Sequence, residues 1–261
     1  MSELDNVRLT YIGGPTILIE FGALRLLTDP TFDPPGNYET GAFTLSKLAG
    51  PAIGASELGS IDVVLLSHDH HFDNLDRAGR ELLSIAKNVI TTPAGAERLR
   101  GNAIGLGPWQ SFDIPASDRK TLTIIGTPAR HGPAVGDRGP VTGFLIYYQD
   151  SPEDLIYLSG DTVWYEGVEE TLRRYPNIRV AILFVGAAQI PVLPAHLTFT
   201  AEEAVRVSAA LPHAIIVPVH FEGWKHFKES RQDLTQAFAA AGREDRLLWL
   251  QPGKSTPLES R

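Results

Sequence analysis

The sequence contains no cysteine. This absence excludes disulfide bonds, thiolate metal ligands and a cysteine nucleophile, so a bound metal ion would have to be held by histidine and carboxylate side chains. The first residues, MSELDNVRLTYIGG, also lack the basic and then apolar pattern of a signal peptide. We therefore expect a cytoplasmic protein, although a chain without cysteine would also suit export.

Positive charge and long apolar runs are both scarce. The chain of 261 residues has 23 Lys and Arg against 31 Asp and Glu, which gives a formal net charge of −8. This balance argues against a nucleic-acid surface, which needs clustered basic residues, and against a basic membrane-binding face. No apolar stretch approaches the roughly 20 residues that span a bilayer. We expect a small-molecule substrate as the partner, with no nucleic acid and no membrane span.

Short apolar runs rich in β-branched residues alternate with glycine and proline turns along most of the chain, which predicts strands. Helical spacing begins at Asn74, near 165–175, after Thr200 as the N-cap, and in RQDLTQAFAAAG, whereas RLLWLQPG is predicted as a last strand. Two strand-rich halves, each followed by helices, predict an α/β protein with two sheets packed face to face and helices outside. We expect residues 1–261 to form one domain.

The chemistry is concentrated in residues 67–76, which read SHDHHFDNLD after the apolar run IDVVLL. Three histidines and three aspartates in ten positions are hard to explain by packing. Three further metal-capable residues, His131, Asp161 and His220, also end predicted strands. Each alone could be a hydrogen-bonded or turn residue, but together they favour a pocket that holds Zn²⁺, Mn²⁺ or Fe²⁺.

These motifs, in this order, resemble those of the metallo-β-lactamase-fold hydrolases: SHDHHFDN, then ARHGP, LSGDT and PVHFEG. The resemblance implies a four-layer αββα sandwich of two mixed β-sheets and a site for one or two Zn²⁺ ions, with Mn²⁺ or Fe²⁺ as alternatives. It is also compatible with a homo-oligomer. The metal ligands that it implies are His68, His70, His71, Asp73, His131, Asp161 and His220.

The first motif departs from the family pattern His-x-His-x-Asp-His. One residue is inserted, so His70 and His71 compete for a single role, and counting back from Asp73 makes Asp69 a candidate as well. The last histidine of the motif is replaced by Asn74, whose amide is a poor zinc ligand beside imidazole. The second metal position is therefore expected to be weak, absent or filled by another metal.

The branch that the chain resembles includes ascorbate-6-phosphate lactonase and the phospholipase D-like enzymes acting on N-acyl phosphatidylethanolamine. AHLTFTAEEAV followed by IIVPVHFEG is similar to a segment of that branch, and this match puts His196 at the edge of the pocket. His196 would be a substrate contact, a proton donor or an extra ligand, or else a loop histidine on the surface.

The function that we expect is hydrolysis of an ester, lactone or phosphodiester by metal-activated water. Asp73 would orient the water and take its proton, and Asp29, in LLTDP, would support a ligating histidine. Two alternatives stay open. They are an iron-dependent redox enzyme on the same fold and a metal-dependent binding protein that has lost catalysis.

Two further segments have two readings each. The proline- and glycine-rich loop of residues 30–45 carries Phe32, Tyr38 and Phe43 and is either a lid over the pocket or a plain connector. In HFEGWKHFKES, the basic residues after His220 either meet an anionic group of the substrate or form an exposed entry to a helix.

Overall fold

Two large mixed β-sheets face each other in the computed structural model, which describes residues 3–116 and 120–258. Seven strands form the first sheet, in the order β15-β1-β2-β3-β6-β7-β8. Their bounds are β1 Val7–Gly13, β2 Thr16–Phe21, β3 Leu24–Thr28, β6 Val63–Leu65, β7 Asn88–Thr91, β8 Ala103–Gly105 and β15 Ser255–Pro257. Strands β15, β1, β2 and β3 run antiparallel, and β3, β6, β7 and β8 run parallel.

Six strands form the second sheet, in the order β14-β13-β12-β11-β10-β9. Their bounds are β9 Ser111–Pro115, β10 Thr121–Pro128, β11 Thr142–Tyr148, β12 Leu155–Leu158, β13 Ile178–Phe184 and β14 Ile215–Val219. Strands β9 to β12 are antiparallel neighbours, whereas β12, β13 and β14 are parallel.

Helices cover the outer faces of both sheets. They are α1 Arg77–Leu82, α2 Pro93–Leu99, α3 Glu166–Arg174, α4 Ala201–Ala210 and α5 Arg231–Ala240. Three hydrophobic clusters lie between the layers. The cluster between the two sheets includes Leu9 and Ile146. A second cluster, under α3, α4 and α5, includes Leu145 and Val168, and a third, under α1, includes Leu82. The α/β sandwich expected from the sequence is confirmed. The longest helices among the described residues have ten residues, so none could cross a membrane.

The observed ends of the helices and of the last predicted strand can be compared with the signals in the sequence. Thr200 caps α4 through Glu203, as expected. The first helix begins at Arg77 rather than at Asn74, because Asp76 is its cap and accepts a hydrogen bond from the Gly79 amide. The last predicted strand, RLLWLQPG, is wrong: of this segment only Leu247 bridges to Ile216, and the chain turns at 252–253 before β15.

The proline- and glycine-rich loop of residues 30–45 contains a β-hairpin, β4 Gly36–Glu39 and β5 Thr44–Lys47. Tyr38 and Leu45 pack with Trp224, which follows β14, and Lys47 forms a β-bridge with Trp224. These contacts hold the hairpin over the edge of the sandwich where the candidate metal ligands lie.

The ends of five strands deliver the metal-capable residues. Asp29 follows β3, His68 follows β6, His131 follows β10, Asp161 follows β12 and His220 follows β14. Because the carboxyl ends of parallel strands share one edge of a sheet, and the two sheets face each other, these side chains converge at one end of the sandwich.

Candidate metal centre

Three imidazole nitrogens meet at the separations expected of metal ligands. His68 Nε2 lies 2.9 Å from His71 Nδ1, and His131 Nε2 lies 3.2 Å from the same atom. Asp161 Oδ2 is 3.4 Å from His131 Nε2. Ligands of a tetrahedral zinc ion with bonds of about 2.1 Å lie about 3.4 Å apart. These four residues, called the first group below, could hold one divalent ion.

Neighbouring groups set the tautomers of two of these rings. His131 Nδ1 lies 2.9 Å from the Leu197 carbonyl, which can only accept, so the proton is on Nδ1 and Nε2 keeps its lone pair. Ser67 Oγ lies 2.6 Å from Asp29 Oδ2 and 2.9 Å from His68 Nδ1. Its hydroxyl donates to the carboxylate and accepts from His68 Nδ1–H, which leaves His68 Nε2 free as a ligand. Asp29 thus reaches His68 through Ser67 rather than directly.

Burial keeps the three rings neutral. It lowers the pKa of His131 to about 4 and the pKa of His68 and His71 well below the ordinary value, with the neighbouring imidazoles adding to the effect for His68 and His71. A metal ion therefore meets ligands that do not have to lose a proton at neutral pH.

A second group adjoins the first and consists of Asp73, Asp161 and His220. His220 Nε2 is 3.6 Å from Asp73 Oδ2, and His220 Nδ1 is 3.5 Å from Asp161 Oδ1. Within the described residues, Asp161 Oδ2 and both nitrogens of His220 are buried without a hydrogen-bond partner. Burial, followed by the charges of Asp73 and Asp29, raises the pKa of Asp161 well above its usual value. A cation between these atoms would relieve this cost, and so the donor set fits a divalent metal.

Backbone strain occurs at the same place. Asp29 and His220 both have positive φ angles, 24° and 57°. Such conformations cost energy in residues with a side chain and are retained where the surrounding structure fixes a functional geometry. Both residues follow directly from strand ends, so the strain turns their side chains towards the metal groups.

Asn74, which replaces a family histidine, faces the carboxylates with its amide nitrogen. Nδ2 donates to Asp29 Oδ2 at 3.1 Å and to Asp161 Oδ1 at 3.2 Å. Asn74 therefore holds two buried acids in place through N–H donors. The second group is left with two carboxylates and one imidazole.

The first motif has one inserted residue, and its neighbours Asp69, His70 and His71 make different contacts. His70 Nε2 donates to the Arg138 carbonyl at 2.8 Å, and a Cβ at Gly139 would come within 2.9 Å of that nitrogen, so only glycine leaves room for the ring. His70 lies close enough to His68 and His71 to join a ligand set, and with its proton on Nε2 only its Nδ1 could take part. His71 Nδ1 is the nitrogen that lies within 3.2 Å of both His68 Nε2 and His131 Nε2, so we assign His71 to the first group.

Asp69 serves as an anchor. Its buried carboxylate accepts two hydrogen bonds from Arg98, and Arg80 donates to its carbonyl at 2.7 Å. Although burial raises the pKa of Asp69, the contact with Arg98 outweighs burial and holds it well below its usual range. The peptide that carries His68 and His71 is therefore tied to α1 and α2.

We expect Arg98→Ala to weaken metal binding about 10-fold, because the loop that carries His68 and His71 loses its anchor. Arg98→Lys should show an intermediate loss, since an ammonium keeps the charge but not the two parallel hydrogen bonds. Isothermal calorimetry with Zn²⁺ measures both. Equal affinity of all three proteins would show that Asp69 does not position the loop.

The remaining predicted site residue, His196, lies elsewhere. Its Nε2 is 3.2 Å from Glu203 Oε1, at the start of α4, and its side chain is 38% exposed. Among the described residues that line the cavity beside the two metal groups, His196 does not appear. Conversely, the sequence shows His226 only as part of the basic segment HFEGWKHFKES, yet its Nε2 lies 3.0 Å from Asp73 Oδ2. No spacing rule relates position 226 to position 73, so this contact had no sequence signal.

Asp73 and His226 face a cavity of about 700 Å³, called the metal cavity below. Although burial raises the pKa of Asp73, His226 and His220 hold it well below its usual value, so the carboxylate is ionised. Apolar side chains form much of the wall, and the hairpin tip closes one side. The apolar lining comprises Phe43, Leu45, Phe72, Ala188, Ile190 and Leu197.

Comparisons with known proteins find similar sequences and structures along most of the chain. A family model described as "Beta-lactamase superfamily domain" matches residues 24–221. The chain is similar to a UPF0173 protein of Bacillus subtilis, 25% identical over 95% of this chain and 99% of the relative. A UPF0173 metal-dependent hydrolase of Ignicoccus hospitalis is 25% identical over 98% of this chain and all of the relative. An isothiocyanate hydrolase from Delia radicum gut bacteria shares the fold, with a TM-score of 0.79, 23% identity and coverage of 97% and 99%.

Proposed function

The chain belongs to the beta-lactamase superfamily, and from this premise we propose that it is a metal-dependent hydrolase of small molecules with an ester, lactone or phosphodiester bond. The observation that carries the proposal is the convergence of three neutral imidazoles and a buried Asp161, whose Oδ2 has no hydrogen-bond partner among the described residues, beside a partly apolar cavity. Relatives along the whole chain carry the name metal-dependent hydrolase. Zn²⁺ is our first choice of ion, because imidazole nitrogens dominate the first group.

In this proposal His68, His71, His131 and Asp161 would hold the first ion, and Asp73, Asp161 and His220 would hold a second, weaker one. A divalent ion at this place supplies water with a pKa lowered to about 7 and a Lewis acid for the substrate oxygen. Asp73, ionised and facing the metal cavity, orients the attacking water by accepting its hydrogen bond. His226 holds the Asp73 carboxylate through Nε2, which lies 3.0 Å from Oδ2.

The cavity wall suggests which substrates to try. Phe43, Leu45 and Ile190 offer an apolar surface next to the metal groups, which favours substrates with an apolar body around the reacting bond. One structurally similar protein is named an isothiocyanate hydrolase, and isothiocyanates therefore belong in the same panel.

The test is metal analysis combined with a panel of lactones, aryl esters, phosphodiesters and isothiocyanates. We expect close to one tightly held equivalent of divalent metal, loss of hydrolysis after chelation, and recovery on adding Zn²⁺ or Mn²⁺. His131→Ala should lose metal and activity together. Activity that survives complete chelation would rule the proposal out, and a coloured, iron-loaded protein that consumes oxygen would replace it with the redox alternative.

A further inference from the structure

The basic segment after His220 is fixed by backbone hydrogen bonds to two different elements. The Lys225 amide donates to the Ser46 carbonyl of β5 at 3.0 Å, and the Lys228 amide donates to the Gly186 carbonyl, after β13, at 2.8 Å. The α5 helix begins at Arg231 with Ser230 as its cap, so residues 225–228 lie before its first turn. Their side chains therefore start from a rigid base.

This segment lines a second cavity, of about 510 Å³, called the lysine cavity below. The hairpin strand β5 and the loop 189–194 form its other walls. The metal cavity and the lysine cavity share four lining residues, Phe43, Leu45, Ile190 and His226. His226 also contacts Asp73, so the two spaces adjoin at the candidate catalytic group.

The charges of the two cavities differ. The lining of the metal cavity includes three acidic residues, Glu39, Asp73 and Asp137, and one arginine, Arg138. Of the described residues that line the lysine cavity, none is acidic, and Lys225 and Lys228 are its cations. Among the described ion pairs, neither lysine takes part in one. These two lysines place positive charge beside a partly apolar wall in a protein with a net charge of −8.

We propose that the lysine cavity binds a negatively charged terminal group of the substrate, with the apolar body lying along Phe43, Leu45 and Ile190 and the reacting bond at the metal groups. The substrate class is thus a small amphiphilic anion rather than a neutral ester or lactone. This inference rests on the proposed function for its substrate role, but the binding site itself does not require turnover.

A matched pair of fluorescent probes tests the site. Anilinonaphthalene sulfonate carries an apolar body and an anionic group, and N-phenylnaphthylamine has the same aromatic amine without the sulfonate. We expect the double variant Lys225→Gln and Lys228→Gln to bind the sulfonate probe roughly 3- to 20-fold more weakly, the size expected for two exposed charges. Binding of the neutral probe should not change, and added salt should weaken only the sulfonate probe.

Two control variants test whether the probes bind in the lysine cavity. Lys254→Gln removes an exposed lysine elsewhere and should leave both probes unaffected. Thr44→Trp places a bulky side chain on an exposed residue that lines the lysine cavity and should weaken both probes.

The proposal is overturned if the double variant weakens both probes equally, if it weakens neither, or if Thr44→Trp leaves the sulfonate probe in place. Absence of any hydrolysis in the substrate panel would remove the proposed function without changing these binding results. The two failures can therefore be told apart.

Discussion

Replacing His71 by alanine is expected to remove the first metal ion and to lower kcat/KM at least about 100-fold, the upper end of the loss found for groups that only support metal ligands. The reason is that His71 Nδ1 lies within 3.2 Å of the nitrogens of both His68 and His131. Replacing His70 should lower the metal content far less, because His71 Nδ1, rather than a His70 nitrogen, makes the close contacts with both His68 and His131.

The two variants control each other, since the residues are adjacent and chemically identical. Elemental analysis after gel filtration gives the metal content, and thermal melting of the chelated proteins checks that both are folded. If His70→Ala loses the metal while His71→Ala retains it, the inserted residue is His71, and the ligand spacing is the ordinary His-x-His counted from His68.

The sequence predicted that the site residues lie close together, but not which role each of Asp69, His70 and His71 has in the first motif. Strand-ending residues such as His131, Asp161 and His220 can be recognised from local patterns, because an apolar run before each of them predicts a strand. The order of the motifs along the chain supplied the expectation that these residues meet. The choice between His70 and His71 depends on the carbonyl of Arg138 and on the pairing of Asp69 with Arg98, which are contacts between distant parts of the chain. Local spacing carries no information about them.

The hairpin β4–β5 was not predicted from the sequence, because it too depends on contacts between distant parts of the chain. Gly36, Asn37 and Glu39 have low strand propensity, and so the segment read as a loop. Its pairing with β5 and its packing on Trp224 supply the stability that propensity lacks. The helix α4 was predictable because its capping box is local in sequence.

Replacing Asp161 by asparagine is expected to change the metal-free and metal-loaded proteins in opposite directions. In the metal-free protein this buried carboxylate has an oxygen without a partner and faces Asp73 and Asp29. The asparagine amide can donate to the lone pair of His131 Nε2 in place of that oxygen. We expect the metal-free variant to gain about 1–2 kcal/mol of unfolding free energy, which corresponds to a rise in Tm of several degrees at about 2–4 °C per kcal/mol.

Metal addition should reverse this order. At a free Zn²⁺ concentration of about 1,000 times Kd, a bound ion stabilises the wild type by about 4 kcal/mol, and an approximately 100-fold loss of affinity removes most of this stabilisation from the variant. Thermal melts with and without Zn²⁺ measure both effects. The exposed carboxylate of Glu81 provides the control, because Glu81→Gln should change neither curve. A metal-free Asp161→Asn protein that melts below the wild type would contradict the account of Asp161 as an uncompensated charge.

The pH dependence of the free energy of unfolding tests the role of Asp161 independently. The pKa of Asp161 is raised in the folded, metal-free protein, whereas an unfolded chain releases the same proton near pH 4. Between these values the folded state binds more protons than the unfolded state, so the free energy of unfolding contributed by Asp161 falls as pH rises. Asparagine has no such contribution. The stability advantage of the metal-free variant should therefore be small near pH 4 and grow steadily towards neutral pH, and an advantage that shrinks over this range would show that Asp161 is paired in the metal-free protein.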